Sequence, residues 1–345
     1  MSADGLKGEL VALAHKQGFF ACRIAPAVAP PHADSFQQWL DEGMGADMTW
    51  LGRSAARRRD PGLVLEDVRS LVMLGMNYYQ GPARPTPRGG RVARYAWGDD
   101  YHALMLDRIR PLEELLAGAG GRQRAYVDTG PVLEREYGAL SGIGWQGKST
   151  MLIHRRMGTW FFLGEILTTL DLPPDPPERD HCGSCTRCIT ACPTNAITAP
   201  LRLDARRCLS YWTIEHKGDI PEEFRIAMGD RIYGCDDCLD ACPWNRFAAI
   251  SREASFQARA GVSDRPLREL LALDNRGFRE LFRNSPILRI RRARFLRNVC
   301  VALGNVGTGE DLPALRTAAD DPNPLIATHA AWAIGRILDR TPRSP

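Results

Sequence analysis

The chain of 345 residues has no apolar run long enough to cross a bilayer. Its most apolar stretch, around Trp160 to Leu170, is interrupted by Gly164 and Glu165 and falls well short of about 18 residues. Net charge is also scarce. With 45 basic and 41 acidic residues the balance is +4, which announces no nucleic-acid partner for the chain as a whole. Apolar residues are not lacking: at 44% they exclude disorder as the dominant state. The start, MSADGLKGEL, shows no charged segment followed by an apolar block and no twin arginine. No export signal is therefore expected, and the chain is expected to be cytoplasmic with no membrane partner. HExxH is absent too. What stands out is ten cysteines, unevenly placed. Eight fall between Cys182 and Cys242, whereas Cys22 and Cys300 stand alone in apolar surroundings and read as core residues. In a reducing compartment such a cluster points to metal rather than disulfides.

Up to about Leu172 the pattern is mixed. Leu6 to Lys16 carries apolar residues at helical spacing, and Ser70 to Tyr79, Ala125 to Asp128 and Trp160 to Glu165 are β-compatible runs. Helices are expected over Ala103 to Leu116, with a break or kink at Pro111, and over Val132 to Leu140, with Pro131 at its start. Strands separated by helices imply an α/β or α+β fold for residues 1–172. Gly81 to Gly90 is a loop by composition, and the proline-dense DLPPDPPERD (171–180) marks a boundary. Residues 173–250 hold the cysteine block. In the last segment, 251–345, Ala302-Leu303-Gly304-Asn305 recurs as Ala333-Ile334-Gly335-Arg336, with Asp321-Pro322-Asn323-Pro324 as the break between helices. This reads as a short pair of α-helical HEAT-like hairpins.

Cys182-x2-Cys185-x2-Cys188-x3-Cys192-Pro193 is the bacterial ferredoxin run in full. Three close thiolates wrap one cubane, and the fourth, before proline, reaches the other cluster. Cys235-x2-Cys238-x3-Cys242-Pro243 repeats the run without its first cysteine, and Cys208 is the replacement. Crossed ligation then gives Cys182, Cys185, Cys188 and Cys242 to cluster one, and Cys192, Cys208, Cys235 and Cys238 to cluster two. Structural zinc uses CxxC pairs and has no need of the third cysteine or the two prolines. Two [4Fe–4S] clusters are expected, and with them single-electron transfer. GIGWQGKS (142–149) matches both GxGxxG and Walker A in letters. Helical residues precede it and bulky Trp145 and Gln146 occupy the phosphate cradle, so no nucleotide site is expected.

VDTGPVLERE (127–136), GIGWQGKSTMLI (142–153), the two cysteine runs and CLSYWTIEHKG (208–218) together resemble the epoxyqueuosine reductase family. The resemblance runs from about Met48 to the HEAT-like tail. It implies an N-terminal cobalamin-binding domain, a ferredoxin-like two-cluster domain and a helical tail. It also implies reduction of the epoxide of epoxyqueuosine in the tRNA anticodon loop, the last step of queuosine synthesis. By the same resemblance the proton donor maps to Asp128. An unperturbed Asp titrates near about 3.9, so that role calls for desolvation to raise its pKa, or for a proton delivered during turnover. Tyr101 and His102 are expected to line the corrinoid pocket. Lys148, Ser149, Thr150, Ser210, Asp236 and Arg58 are expected on its amide-rich edge, with no histidine on cobalt.

Two arginine runs suit RNA phosphate. One is Arg289, Arg291, Arg292, Arg294 and Arg297; the other is Arg53, Arg57, Arg58 and Arg59. A solvated helix face is the alternative for either. The expected partners are tRNA and an external electron donor such as flavodoxin or ferredoxin, with the protein a monomer. Two other readings stay open at this level: a noncatalytic two-cluster electron carrier, and a corrinoid reductive dehalogenase.

Overall fold

In the computed structural model the described residues are 2–82, 88–262 and 265–340, so part of the expected Gly81–Gly90 loop lies outside them. Strands β1 (Ala21–Pro26), β2 (Ser70–Asn77), β3 (Gln123–Tyr126) and β4 (Phe161–Thr168) form one sheet in the order β1-β2-β4-β3. All three pairings are antiparallel, which narrows the expected class to α+β. The run SLVMLGMN alternates between two buried faces, as it must in a sheet covered on both sides. Val72, Leu74 and Met76 face α1 (Ala3–Lys16) and α2 (Tyr101–Gly118). Leu71 and Met73 face α3 (Glu134–Leu140) and the hairpin of Trp145–Gln146 with Leu152–Ile153. That hairpin occupies the GIGWQGKS segment. No helix follows the loop, as a phosphate cradle would require.

Helix α2 runs through Pro111 without the break that proline could have made. The carbonyl that proline leaves unpaired belongs to Asp107, on the exposed side of the helix. The tail folds as α4 (Arg291–Val306), α5 (Leu312–Ala319) and α6 (Pro324–Arg340), packed through Val299, Cys300, Leu303, Ile326, Ala330, Ala333 and Ile337. The two repeated glycines differ in setting. Gly304 lies against the Trp332 ring, while Gly335 faces open space.

The hydrophobic cores cross both expected boundaries. Val92, Ala96 and Trp97 share a cluster with Ile232, Tyr233 and the α4–α6 helices, and Arg91–Val92 pairs in parallel with Arg231–Tyr233. Cys22 and Cys300 are buried, as expected. Among the described residues no helix is long and apolar enough to cross a membrane.

Candidate active site and cluster ligands

Asp128 lies in the turn just beyond β3, and its φ of +60° places a non-glycine residue in left-handed backbone. Two neighbours on α2 meet its carboxylate. The Tyr101 hydroxyl donates to Oδ2 at 2.8 Å, and His102 Nε2 lies 3.6 Å from the same oxygen. Asp100, the N-cap of α2, receives the His102 backbone N–H at 3.1 Å and holds His102 Nδ1 at 2.6 Å. The Tyr101 ring is fixed by stacking on Phe162, with centroids 4.0 Å apart. The result is a chain Asp100–His102–Asp128–Tyr101, open to solvent at Asp128, whose side chain is 59% exposed.

Burial in the concavity raises the Asp128 pKa, but hydrogen bonds from His102 and Tyr101 outweigh it and hold the carboxyl below its usual range. Desolvation therefore does not keep a proton on Asp128. Burial lowers His102, but the Asp100 and Asp128 carboxylates overcome that and push it up to about 9. The proton rests on the imidazole.

Beneath Asp128 lies a second acidic pair. Glu165 of β4 stands between Met73 and Tyr126 on the face that meets α3, and Glu134 opens α3. The two carboxyls are electrostatically coupled neighbours, and Glu134 lies close to the Asp128 backbone. Both Glu165 oxygens and Glu134 Oε1 are buried without a hydrogen-bond partner. Burial first, then neighbouring negative charge, raises both carboxyls, so the pair retains a proton near neutrality. Arg58 is a neighbouring cation, and it spends its guanidinium on Ser54 Oγ at 3.0 Å and the Val132 carbonyl at 2.8 Å. The sequence singled out neither Asp100 nor the glutamates. A lone carboxylate inside the apolar strand FFLGEILT was the available signal for Glu165.

The other expected cofactor contacts are dispersed. Lys148 Nζ donates to the Gly183 carbonyl at 2.6 Å, and buried Ser149 lines the pocket of cluster-one cysteines. Thr150 (φ +68°) receives Arg135 on its carbonyl. Ser210 precedes a π-helical turn, Tyr211–Glu215. Asp236 is closed in by Arg94, from its backbone N–H at 2.8 Å and its guanidinium at 3.2 Å.

The cysteines gather as two quartets. Cys242 approaches Cys182, Cys185 and Cys188, and these four line one surface pocket with His181 and Trp244. Cys238 approaches Cys235, Cys208 and Cys192 and packs against the hydrophobic cluster that carries Tyr101. The short helices Arg187–Thr190 and Asp237–Asp240 pack together between the quartets.

The arginine run is corrected. Arg297 is wholly buried, donating to the carbonyls of Trp212 (2.7 Å), His216 (3.0 Å) and Gly218 (2.6 Å), and cannot meet phosphate. Arg292 is taken by the Leu273 carbonyl and Asp321, and Arg294 by the Ile290, Ile214 and Arg289 carbonyls. Only Arg289, paired with Glu215, and Arg291 stand exposed. In the second run Arg53 and Arg57 are exposed, and Arg59 pairs with Asp34 at 2.6 Å.

Comparison with known proteins gives a consistent picture. Residues 58–129 match the family described as "Epoxyqueuosine reductase QueG, DUF1730", and residues 181–245 match the "4Fe-4S double cluster binding domain". The epoxyqueuosine reductase of Xanthomonas campestris is 43% identical over 333 residues, covering 94% of each chain. That of Escherichia coli K12 is 40% identical, covering 88% of this chain and 82% of the other. A crystal structure of epoxyqueuosine reductase with an epoxyqueuosine-modified tRNA-Tyr stem loop overlays with a TM-score of 0.91 at 31% identity. It covers 97% of this chain and 91% of that one. A Bacillus subtilis structure, described with its catalytic aspartate loop swung out of the active site, overlays with a TM-score of 0.90 at 31% identity and the same coverage.

Proposed function

The chain belongs to the epoxyqueuosine reductase family, and from that premise we propose that it reduces epoxyqueuosine to queuosine in the tRNA anticodon, using cobalamin and two [4Fe–4S] clusters. The carrying observation is the Asp128 carboxylate, ionised and open, with a protonated His102 at its back.

The donor set fits both cofactors. Two thiol quartets suit two cubanes. Both ring nitrogens of His102 face carboxylates, leaving none for cobalt, which suits a corrinoid without a protein histidine ligand. A corrinoid bound at this open face supplies the reducing equivalents for epoxide opening. Removing the epoxide oxygen consumes two electrons and two protons and leaves an alkene and water. His102 Nε2 gives its proton to the resting Asp128 carboxylate at Oδ2, and Asp128 passes it to the departing oxygen. The second proton follows by the same route once solvent reprotonates His102. Tyr101 keeps Oδ2 oriented, and Asp100 keeps the imidazole turned with Nε2 toward Asp128. Arg58, Lys148, Ser149, Thr150 and Ser210 are the polar groups assigned to the corrinoid edge. Asp236 acts there only through Arg94.

Residues 1–172 are assigned to cobalamin and catalysis, 173–250 to the clusters, and 251–345 to a HEAT-like segment that meets tRNA through Arg289 and Arg291. The protein works as a cytoplasmic monomer fed by an external electron donor. Reconstitution with iron, sulfide and cobalamin, followed by assay on tRNA bearing epoxyqueuosine, tests the reading. Loss of one oxygen from the modified nucleoside is expected. A reconstituted protein that leaves that nucleoside unchanged under a strong reductant would overturn it.

A further inference from the structure

The two cysteine quartets differ in their access to the surface. Cys238 packs against the core that carries Tyr101, and Cys208 and Cys235 pack against a second core. Cys182, Cys185, Cys188 and Cys242 instead line a pocket at the surface, with Lys148, His181, Pro243 and Trp244. Electrons bound for the Asp128 cavity therefore enter at the outer quartet and leave by the inner one.

Five arginines lie in the segments that carry the outer quartet or line its pocket, and Arg155 touches the pocket residue His181. Arg155, Arg156, Arg179, Arg187 and Arg246 all stand exposed. Arg187 sits between two cluster cysteines in sequence, and Arg246 follows the last of them by four positions. Two acids lie among them, so the five arginines keep a net positive charge. Glu178 binds Arg155 at 2.9 Å and His181 at 3.0 Å, and Asp180 Oδ1 receives the Cys182 backbone N–H at 2.8 Å. Beside the cysteines lies an apolar spot. Phe247 packs on Trp244 with Arg246 over its ring, and both Phe247 (47%) and Ile250 (65%) are exposed.

We propose that this surface docks a small acidic one-electron carrier protein, which reduces the outer cluster. The proposal rests on the reading that the outer quartet holds a [4Fe–4S] cluster. A small apolar centre ringed by one sign of charge suits a brief redox encounter, in which charge steers approach and little area is buried. Each encounter moves one electron: the carrier is oxidised, the cluster is reduced, and no bond forms or breaks. RNA phosphate would also meet arginines, but the exposed Phe247 and Ile250 offer nothing to a sugar–phosphate backbone. The arginines assigned to tRNA, Arg289 and Arg291, lie on a different element.

The test uses the full chain reconstituted with iron and sulfide. Bleaching of cluster absorbance is followed after mixing with reduced flavodoxin, an acidic carrier, across ionic strengths. Photoreduced deazaflavin serves as the small uncharged reductant. The wild-type rate with flavodoxin should fall about tenfold or more from low to high salt. The triple variant Arg179→Glu, Arg187→Glu, Arg246→Glu should lose about tenfold at low salt, with iron content and the deazaflavin rate unchanged. The matching triple of lysines should keep the wild-type rate. Flavodoxin reduction of the glutamate triple at the wild-type rate would overturn the proposal. So would a glutamate triple that keeps that rate and instead loses affinity for the tRNA stem loop. A wild-type chain that takes up no iron would overturn the cluster reading itself, and the docking surface with it.

Discussion

Tyr101 Oη donates to Asp128 Oδ2 at 2.8 Å, joining the first turn of α2 to a left-handed turn beyond β3. The contact takes one lone pair of the acid and leaves the rest of the carboxylate open. Replacing Asp128 with Asn should therefore lower turnover by about 10²–10⁴-fold, the range of a lost general acid. Cluster absorbance and stem-loop affinity should be unchanged. Undiminished turnover would remove the donor role from Asp128.

His102 supplies a pH dependence of definite sign. Its folded pKa of about 9 lies above the ordinary value near about 6.5. The imidazolium's contribution to stability is complete below that ordinary value and is lost as pH rises through about 9. Turnover should decline over the same alkaline range. His102→Gln should abolish that limb of the pH–rate profile, and an unchanged limb would assign it to another group.

The Glu134–Glu165 pair acts in the same sense, but over a range that begins at lower pH. Both carboxyls are raised in the folded protein, so they cost stability as pH rises from the ordinary carboxylate range toward and beyond neutrality. Glu165→Gln removes one titration. Urea midpoints measured at pH 5 and pH 8 should differ less in the variant than in the wild type. An equal or larger difference would mean that the two carboxyls do not share a buried proton.

Arg297 and its neighbours in the arginine run separate structure from binding. Arg297→Met strands three buried carbonyls and should destabilise the fold by about 3 kcal/mol. Arg289→Ala and Arg291→Ala should leave the unfolding midpoint nearly unchanged. Each should reduce the salt slope of tRNA binding by about 0.7–0.9. Equal effects of all three on stability would contradict the placement.

The repeated glycines give a paired test in the tail. A Cβ at Gly304 would lie 2.4 Å from the Trp332 ring and 3.1 Å from Ala333 Cα, so Gly304→Ala should destabilise by about 1–3 kcal/mol. Gly335→Ala meets nothing within 4 Å and should stabilise helix α6 by up to about 1 kcal/mol. Thermal unfolding of the two variants in opposite directions is the expected result.

The cysteine spacing, the sheet strands other than β1 and helices α1, α2 and α3 of the first domain were legible in the sequence because they rest on local periodicity and ligand spacing. Spacing alone paired Cys242 with Cys182, Cys185 and Cys188, and the folded chain brings those same thiols together. The Asp128 motif was visible only through its resemblance to a family. Its proton state depends on Tyr101 and His102, remote in sequence but adjacent across the fold. The arginine run shows the limit most plainly. As letters Arg289 to Arg297 are uniform, yet turning onto helix α4 exposes Arg291 and buries Arg297 among carbonyls. The sequence by itself determined which chemistry the chain carries, since ligand type and spacing are local properties. Only the tertiary structure decided which charges face solvent, which acid pair shares a proton and which cluster is reached first. Those depend on burial and on distances between segments far apart in the chain.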